Sequence, residues 1–384
     1  MIDEKEKTAL TTSVGADERQ SVQAYSNNII TTANPEINYS DENIDEIYRQ
    51  IQRMNDPSYL HTVSMEDLYE MIFPAKQWVV EGILHTGMFI LAGAPKYGKS
   101  FLVLQIAYCV SKGIQLWKYP VHQSPVLYLA LEDNLSRLQS RLYRMYGVES
   151  TKDLYLSTES KKIRNGLEEQ LTAFLQDHPK TKLIIIDTLK MVREGNEDSY
   201  SYAHDYDDIG LLKKFADDHD VCLIVVHHTR KLGDTIDQFN TISGTTGLTG
   251  AADGSLLLSK KKRTDYNATL LLTGRDVQDQ EFHIIRDLEH LIWNLDSVEV
   301  DEFKLPTDPV LAAVAQIVTA TTPVWSGSAT ELADFLGLDI SPISLTKHIN
   351  VNKGRLEKEY SIFYDYKKMH EGRRLIFKYL QSES

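Results

Sequence analysis

Four short runs of apolar residues stand out in the middle of the chain: Met88–Leu91, Pro125–Leu131, Leu183–Ile186 and Val221–Val226. A run without polar alternation suits a strand covered on both faces, as in a parallel sheet between two layers of helices. Between the runs the period changes. Leu102, Leu104, Ile106, Ala107 and Val110 follow helical spacing and stop at Gly113, and residues 166–177 and a stretch ending near His219 read the same way. The alternation predicts an α/β core over residues 76–300, with a mostly parallel central sheet flanked by helices. Ala251–Ser259, Ala268–Thr273 and Phe282–Trp293 are read as closing strands, with a basic hairpin tip at Lys260–Arg263.

The flanks differ from this core. Residues 1–40 are rich in Thr, Ser, Asn, Asp and Glu and are read as a disordered tail. Residues 41–75 form a helical arm. Ile44, Ile47, Tyr48 and Ile51 share one helix face, which packs on a neighbouring subunit or on its own domain, and Ser64 caps a second short helix. Residues 308–384 read as a separate module of three helices (Val310–Ala320, Thr330–Gly337, Ser341–Glu359) and two strands (Ser361–Tyr366, Arg374–Tyr379), a winged-helix-like order.

The first apolar run leads into Gly93-x-x-x-x-Gly98-Lys99-Ser100, a phosphate loop set between strand and helix. Triphosphate binding needs close backbone donors, which Gly93 and Gly98 permit; the following helix adds its positive end. Gly93, Ala94, Pro95, Lys96, Tyr97, Gly98, Lys99, Ser100 and Phe101 are therefore the expected ATP cradle. Lys99 would reach the β- and γ-phosphates and Ser100 would coordinate Mg²⁺. Two acidic residues follow apolar strands. Asp187 would bind Mg²⁺ at its strand tip, and Glu132 would orient the attacking water or, with Asp133 and Asn134, cap the next helix. His227 or His228, at the tip of the fourth run, is placed to report the γ-phosphate. Trp78 is read as a core residue or a flank for the base.

Composition sets the surroundings. The chain of 384 residues carries a formal net charge of −14, which argues against sheathing nucleic acid with the whole surface. Its two cysteines, Cys109 and Cys222, lie in apolar stretches and form no disulfide framework or metal pattern. With no apolar run of spanning length and no cationic leader, a cytoplasmic protein without membrane contact is expected. Residues 341–384 are the exception in charge, with nine Lys/Arg against five Asp/Glu. Lys347, His348, Lys353 and Arg355 would contact a nucleic-acid backbone there, unless the module serves protein contacts.

Six motifs occur in order across some two hundred residues: LAGAPKYGKS, LALED, IIIDTL, VVHHTRK, SGTTGLTGAAD and TGRDV. Together they make the segment from Trp78 to Trp293 resemble the RepA-like branch of RecA-type ATPases, which includes hexameric replicative helicases of plasmids, phages and mobile elements. The resemblance implies a homo-oligomeric ring, ATP between subunits, single-stranded DNA held by pore loops, and replication or mobile-element partner proteins. By motif, Glu132 matches the catalytic glutamate, Asp187 the Walker B aspartate and His228 the sensor. Arg275 is the first choice for an arginine supplied in trans, and Arg263 the second. The pore loops would fall near 190–205 and 230–245, with Arg193, Arg230 and Lys231 as DNA contacts. The first of these loops is acidic. An ATPase that acts without unwinding, as a loader, repair or defence component, is the alternative; a nucleotide-binding regulator is the third reading.

Overall fold

A computed structural model describes residues 58–60, 62–73, 76–194, 202–229, 250–300, 306–369 and 372–380. The chain divides into two units, residues 1–71 and 72–384. In the first, helix α1 (Met65–Glu70) begins where expected, Ser64 accepting from the Asp67 amide at 3.1 Å.

The second unit contains a nine-stranded sheet whose order follows from the apolar runs. Strands β3 (Gly87–Gly93), β4 (Val126–Ala130), β6 (Leu183–Asp187) and β7 (Cys222–His228) lie adjacent and parallel in the order β3-β7-β6-β4, with β5 (Leu154–Ser157) outside β4. Beyond β3 comes β8 (Gly254–Ser259), also parallel, and then three antiparallel strands: β9 (Asn267–Gly274), β10 (Gln280–Arg286) and β11 (Trp293–Val300). The sheet is therefore mixed, six parallel strands extended by an antiparallel edge. A two-stranded ribbon, β1 (Trp78–Val80) with β2 (Leu84–His85), precedes it.

Alternate residues along the parallel strands feed two apolar layers. Phe89, Leu91, Tyr128, Ile185 and Ile224 face helices α2 (Lys99–Lys112) and α3 (Leu135–Tyr146). Ile90, Leu129, Ile186 and Val225 face α4 (Leu167–Asp177), α5 (Leu189–Val192) and α6 (Tyr202–Asp218). Burial on both sides explains why these strands read as unbroken apolar runs. Cys109 and Cys222 are buried free thiols. Among the described residues no helix is long and apolar enough to cross a membrane.

From Pro309 a second core forms around Leu311, Leu345, Ile349, Tyr364 and Phe377. Its elements run α7 (Pro309–Ile317), β12 (Val324–Gly327), α8 (Ala329–Leu336), α9 (Pro342–Val351), α10 (Lys353–Tyr360), β13 (Ile362–Met369) and β14 (Gly372–Tyr379), with the strands ordered β12-β14-β13. Two details depart from the sequence reading. The third helix breaks at Asn352, and Val324–Gly327 adds a strand, pairing Trp325 with Phe377.

Candidate functional site

The site forms where four parallel strands end. Register places Ala130 beside Asp187, Asp187 beside Val226, and Gly93 beside His228. The residues that follow each strand thus share one end of the sheet, and this end also starts α2. The loop between β3 and α2 turns through left-handed backbone at Lys96 (φ 67°) and Gly98 (φ 101°). At Gly98 no side chain fits, since a Cβ would stand 2.8 Å from Trp293 Cζ2 and 3.0 Å from Arg286 Nη1.

Lys99 lies inside this turn and is only 4% exposed. Its ammonium donates to the carbonyls of Gly93 (2.6 Å) and Ala94 (3.1 Å) and lies 3.1 Å from His228 Nδ1. Burial lowers the Lys99 pKa to about 8, against the opposing pull of Asp187 and Glu132. Burial, then the Lys99 charge, lowers that of His228 as well, so a neutral imidazole accepts from the lysine. Asp187 is almost fully buried. It accepts from the Tyr128 hydroxyl at 2.8 Å and from the Ser100 hydroxyl, while burial raises its pKa. Glu132, exposed beyond β4, accepts from Thr188 Oγ1 at 3.0 Å. Asp133 and Asn134 do the helix work instead: Asn134 caps α3 through the Arg137 amide, and Asp133 pairs with Arg137 and Arg141.

The donor set suits Mg²⁺. Ser100 and Asp187 offer two hard oxygens side by side, and a buried carboxylate with a raised pKa gains from a cation. Among the described residues no cluster of three or more His, Cys, Asp or Glu could hold a metal by itself, so phosphate oxygens would complete the shell.

Other sequence candidates are placed elsewhere. Arg193 is buried and pairs with Asp208 at 3.3 Å, rather than standing at the surface. Arg230 and Lys231 lie outside the described residues. Arg275 is exposed, follows β9 at the end of the sheet remote from the phosphate loop, and donates to the Gly250 carbonyl at 2.9 Å. Arg263, in the turn between β8 and β9, lies at the loop end of the sheet. In the C-terminal module, Arg355 pairs with Glu359 and Asp308, His348 is 2.8 Å from Asp308, and Lys353 lies over the Phe363 ring. Lys347, in α9, is half-buried. Trp78 is a half-buried core residue, edge-on to His85.

Four residues near the site escaped the sequence reading. Tyr128 and Thr188 orient the two carboxylates; a hydroxyl inside or just after an apolar run was the available signal. Trp293 and Arg286 come from the far end of the sequence to cover the loop. Trp293 exchanges hydrogen bonds with the Gln105 side chain (2.7 and 2.9 Å) and donates from Nε1 to the Gly98 carbonyl (3.3 Å). The Arg286 guanidinium lies 4.0 Å from the Phe101 ring centroid, and that of Arg141 4.6 Å.

Residues 54–234 match the family model described as an AAA domain, a span that takes in the phosphate loop, Glu132, Asp187 and His228. That match spans less than half of the 384-residue chain. No curated protein matches it significantly. Solved structures similar to this chain include one described as an ATPase domain, at 14% identity and TM-score 0.47, covering 68% of this chain and 100% of that one. A DnaB-like replicative helicase, described with its interactions with primase, matches at 13% identity and TM-score 0.47, covering 72% and 76%. A KaiC-like protein from Pyrococcus horikoshii OT3 matches at 11% and 0.42, covering 59% and 99%.

Proposed function

We propose that the chain is an Mg²⁺-dependent ATP hydrolase that assembles as a ring and works as a DNA helicase or DNA-translocating ATPase in the replication of a plasmid, phage or mobile element, in the cytoplasm. One observation carries the hydrolase reading: Lys99, Asp187, Glu132 and His228 meet at the ends of neighbouring strands beside a glycine-lined turn. Glu132, held by Thr188, orients a water for in-line attack on the γ-phosphate and takes up its proton. Lys99 exchanges the carbonyls of Gly93 and Ala94 for phosphate oxygens, and the exchange frees His228 to sense the terminal phosphate. Ser100 and Asp187 would hold Mg²⁺, which when bound neutralises charge on the β- and γ-oxygens. Arg275 or Arg263 of an adjoining copy would add the remaining positive charge.

The DNA part rests on the six sequence motifs and on a winged-helix reading of the C-terminal module. A second reading is favoured by specific contacts: Arg193 is sequestered by Asp208, and Arg355 and His348 are spent inside their own module. These commitments leave fewer free groups for a phosphate backbone, which suits an ATPase that recruits a protein partner and does not unwind. ATPase rates with and without single-stranded DNA, a forked-duplex unwinding assay and a mass determination with nucleotide separate the two. Lys99→Ala should abolish turnover; hydrolysis near the wild-type rate in that variant would overturn the hydrolase reading.

A further inference from the structure

Phe101 follows Ser100 on the outer side of the loop helix, and its ring gathers two guanidiniums that differ in one respect. Arg141 is paired with Asp133 at 2.8 Å. Arg286 has no anionic partner among the described residues, and its Nε, like Arg141 Nη1, is buried without an acceptor. The surroundings add more positive charge. The Lys260 ammonium lies 5.2 Å from the Trp293 ring that Arg286 also contacts, and Arg144 is committed to the carbonyls of Leu288 and Glu289. The nearest acid in sequence, Asp287, accepts from the amides of Glu289 and His290. Burial and the charges of Arg141 and Arg144 lower the Arg286 pKa, so the free protein holds this charge at a cost.

Position says what could relieve it. Arg286 Nη1 stands 3.0 Å from where a Gly98 Cβ would be, so the guanidinium touches the phosphate loop itself. The candidate reacting groups stand at the strand ends, with His228 3.1 Å from the Lys99 ammonium and Asp187 bonded to the Ser100 hydroxyl, whereas Arg286 reaches the loop from the antiparallel edge. Phe101 is the residue after Ser100 at the start of α2, so a nucleotide with its terminal phosphate at Lys99 and lying along this turn would bring its ribose and α-phosphate to Phe101. We propose that Arg286 is a nucleotide-binding residue of this site, holding the ribose–α-phosphate end of the nucleotide whose reacting end Lys99 holds. The inference rests on the ATPase reading above. Because ATP and ADP share that end, Arg286 binds both equally, and its contribution is uniform between ground and transition state.

The test uses the full chain, with Arg286→Met to keep a long side chain against Phe101 without charge and Arg286→Lys to keep the charge. Calorimetric titration with ADP and with a non-hydrolysable ATP analogue should show about tenfold weaker binding of both to R286M and a loss of about threefold in R286K. In steady state the R286M loss appears in KM rather than kcat. The nucleotide-free R286M protein should melt no lower than wild type, since an unpaired charge has been removed. Unchanged ADP affinity in R286M overturns the proposal. So does an affinity loss that R286K fails to relieve while both variants melt lower, which would assign Arg286 to packing of the Phe101 ring. Failure of wild type to bind either nucleotide, with K99A indistinguishable from it, would instead overturn the ATPase reading itself.

Discussion

Lys99 carries a charge into a nearly closed site, and the consequence can be measured without nucleotide. Burial moves its pKa from the ordinary 10.5 to about 8, a displacement worth about 3 kcal/mol. Below pH 8 the folded and unfolded chains are both protonated at this residue, and the full penalty weighs on the fold. Between pH 8 and 10.5 the unfolded chain binds the proton and the folded chain does not, so stability rises with pH by about 1.4 kcal/mol per pH unit. Lys99→Met removes the penalty but deprives the Gly93 and Ala94 carbonyls of a donor, at about 1 kcal/mol each. The variant should therefore be about 1 kcal/mol more stable than wild type at pH 7. At pH 10 it should be about 2 kcal/mol less stable, because only the wild type has gained. Urea denaturation followed by tryptophan fluorescence is a suitable assay, since Trp293 packs against the loop helix. Other titrating groups cancel in the difference. Curves for the two proteins that run parallel from pH 7 to 10 would refute the argument, because they require Lys99 to keep its ordinary pKa and hence to be exposed.

Other substitutions test separate parts of the site. Glu132→Gln keeps the shape and the Thr188 contact but removes the base; kcat should fall by roughly two to four orders of magnitude with ADP affinity within about twofold of wild type. Gly98→Ala forces a Cβ into left-handed backbone against Trp293, costing about 1–2 kcal/mol for the conformation and more for repacking; a denaturation midpoint equal to wild type would contradict the turn described here. For the arginine in trans, mixing Lys99→Ala subunits with Arg263→Ala or with Arg275→Ala subunits should restore part of the turnover for whichever arginine acts across the interface. Restoration by neither mixture would leave both candidates without support.

Much of the α/β core was legible because its signals are local. Strand, glycine turn and helix adjoin one another around Lys99, and Asp187 and Glu132 follow apolar strands whose ends necessarily share one side of a parallel sheet. What was hidden depends on distant partners. Nothing near Arg193 in sequence reveals that Asp208, on helix α6, would take it out of solvent. Arg286 and Trp293 lie almost two hundred residues from Gly98, and only an antiparallel return of β10 and β11 brings them to it. The closing strands are half-exposed and lack the unbroken apolar runs that mark the central ones, so their ends are weakly signalled; Trp293 begins a strand and does not end one. In the C-terminal module, Asn352 stops a helix that charge and spacing alone would continue, since its side chain bonds to the His348 carbonyl.

The attachment of Trp293 to Gln105 and Gly98 makes the edge strand mechanically part of the glycine-lined turn. Trp117 doubles the fastening by donating to the same Trp293 carbonyl at 2.7 Å. From there β11 runs to Val300, a few residues before the C-terminal module begins. The start of the edge strand is thus bonded directly to the loop helix, and this link bypasses the parallel strands that lie between them in the sheet.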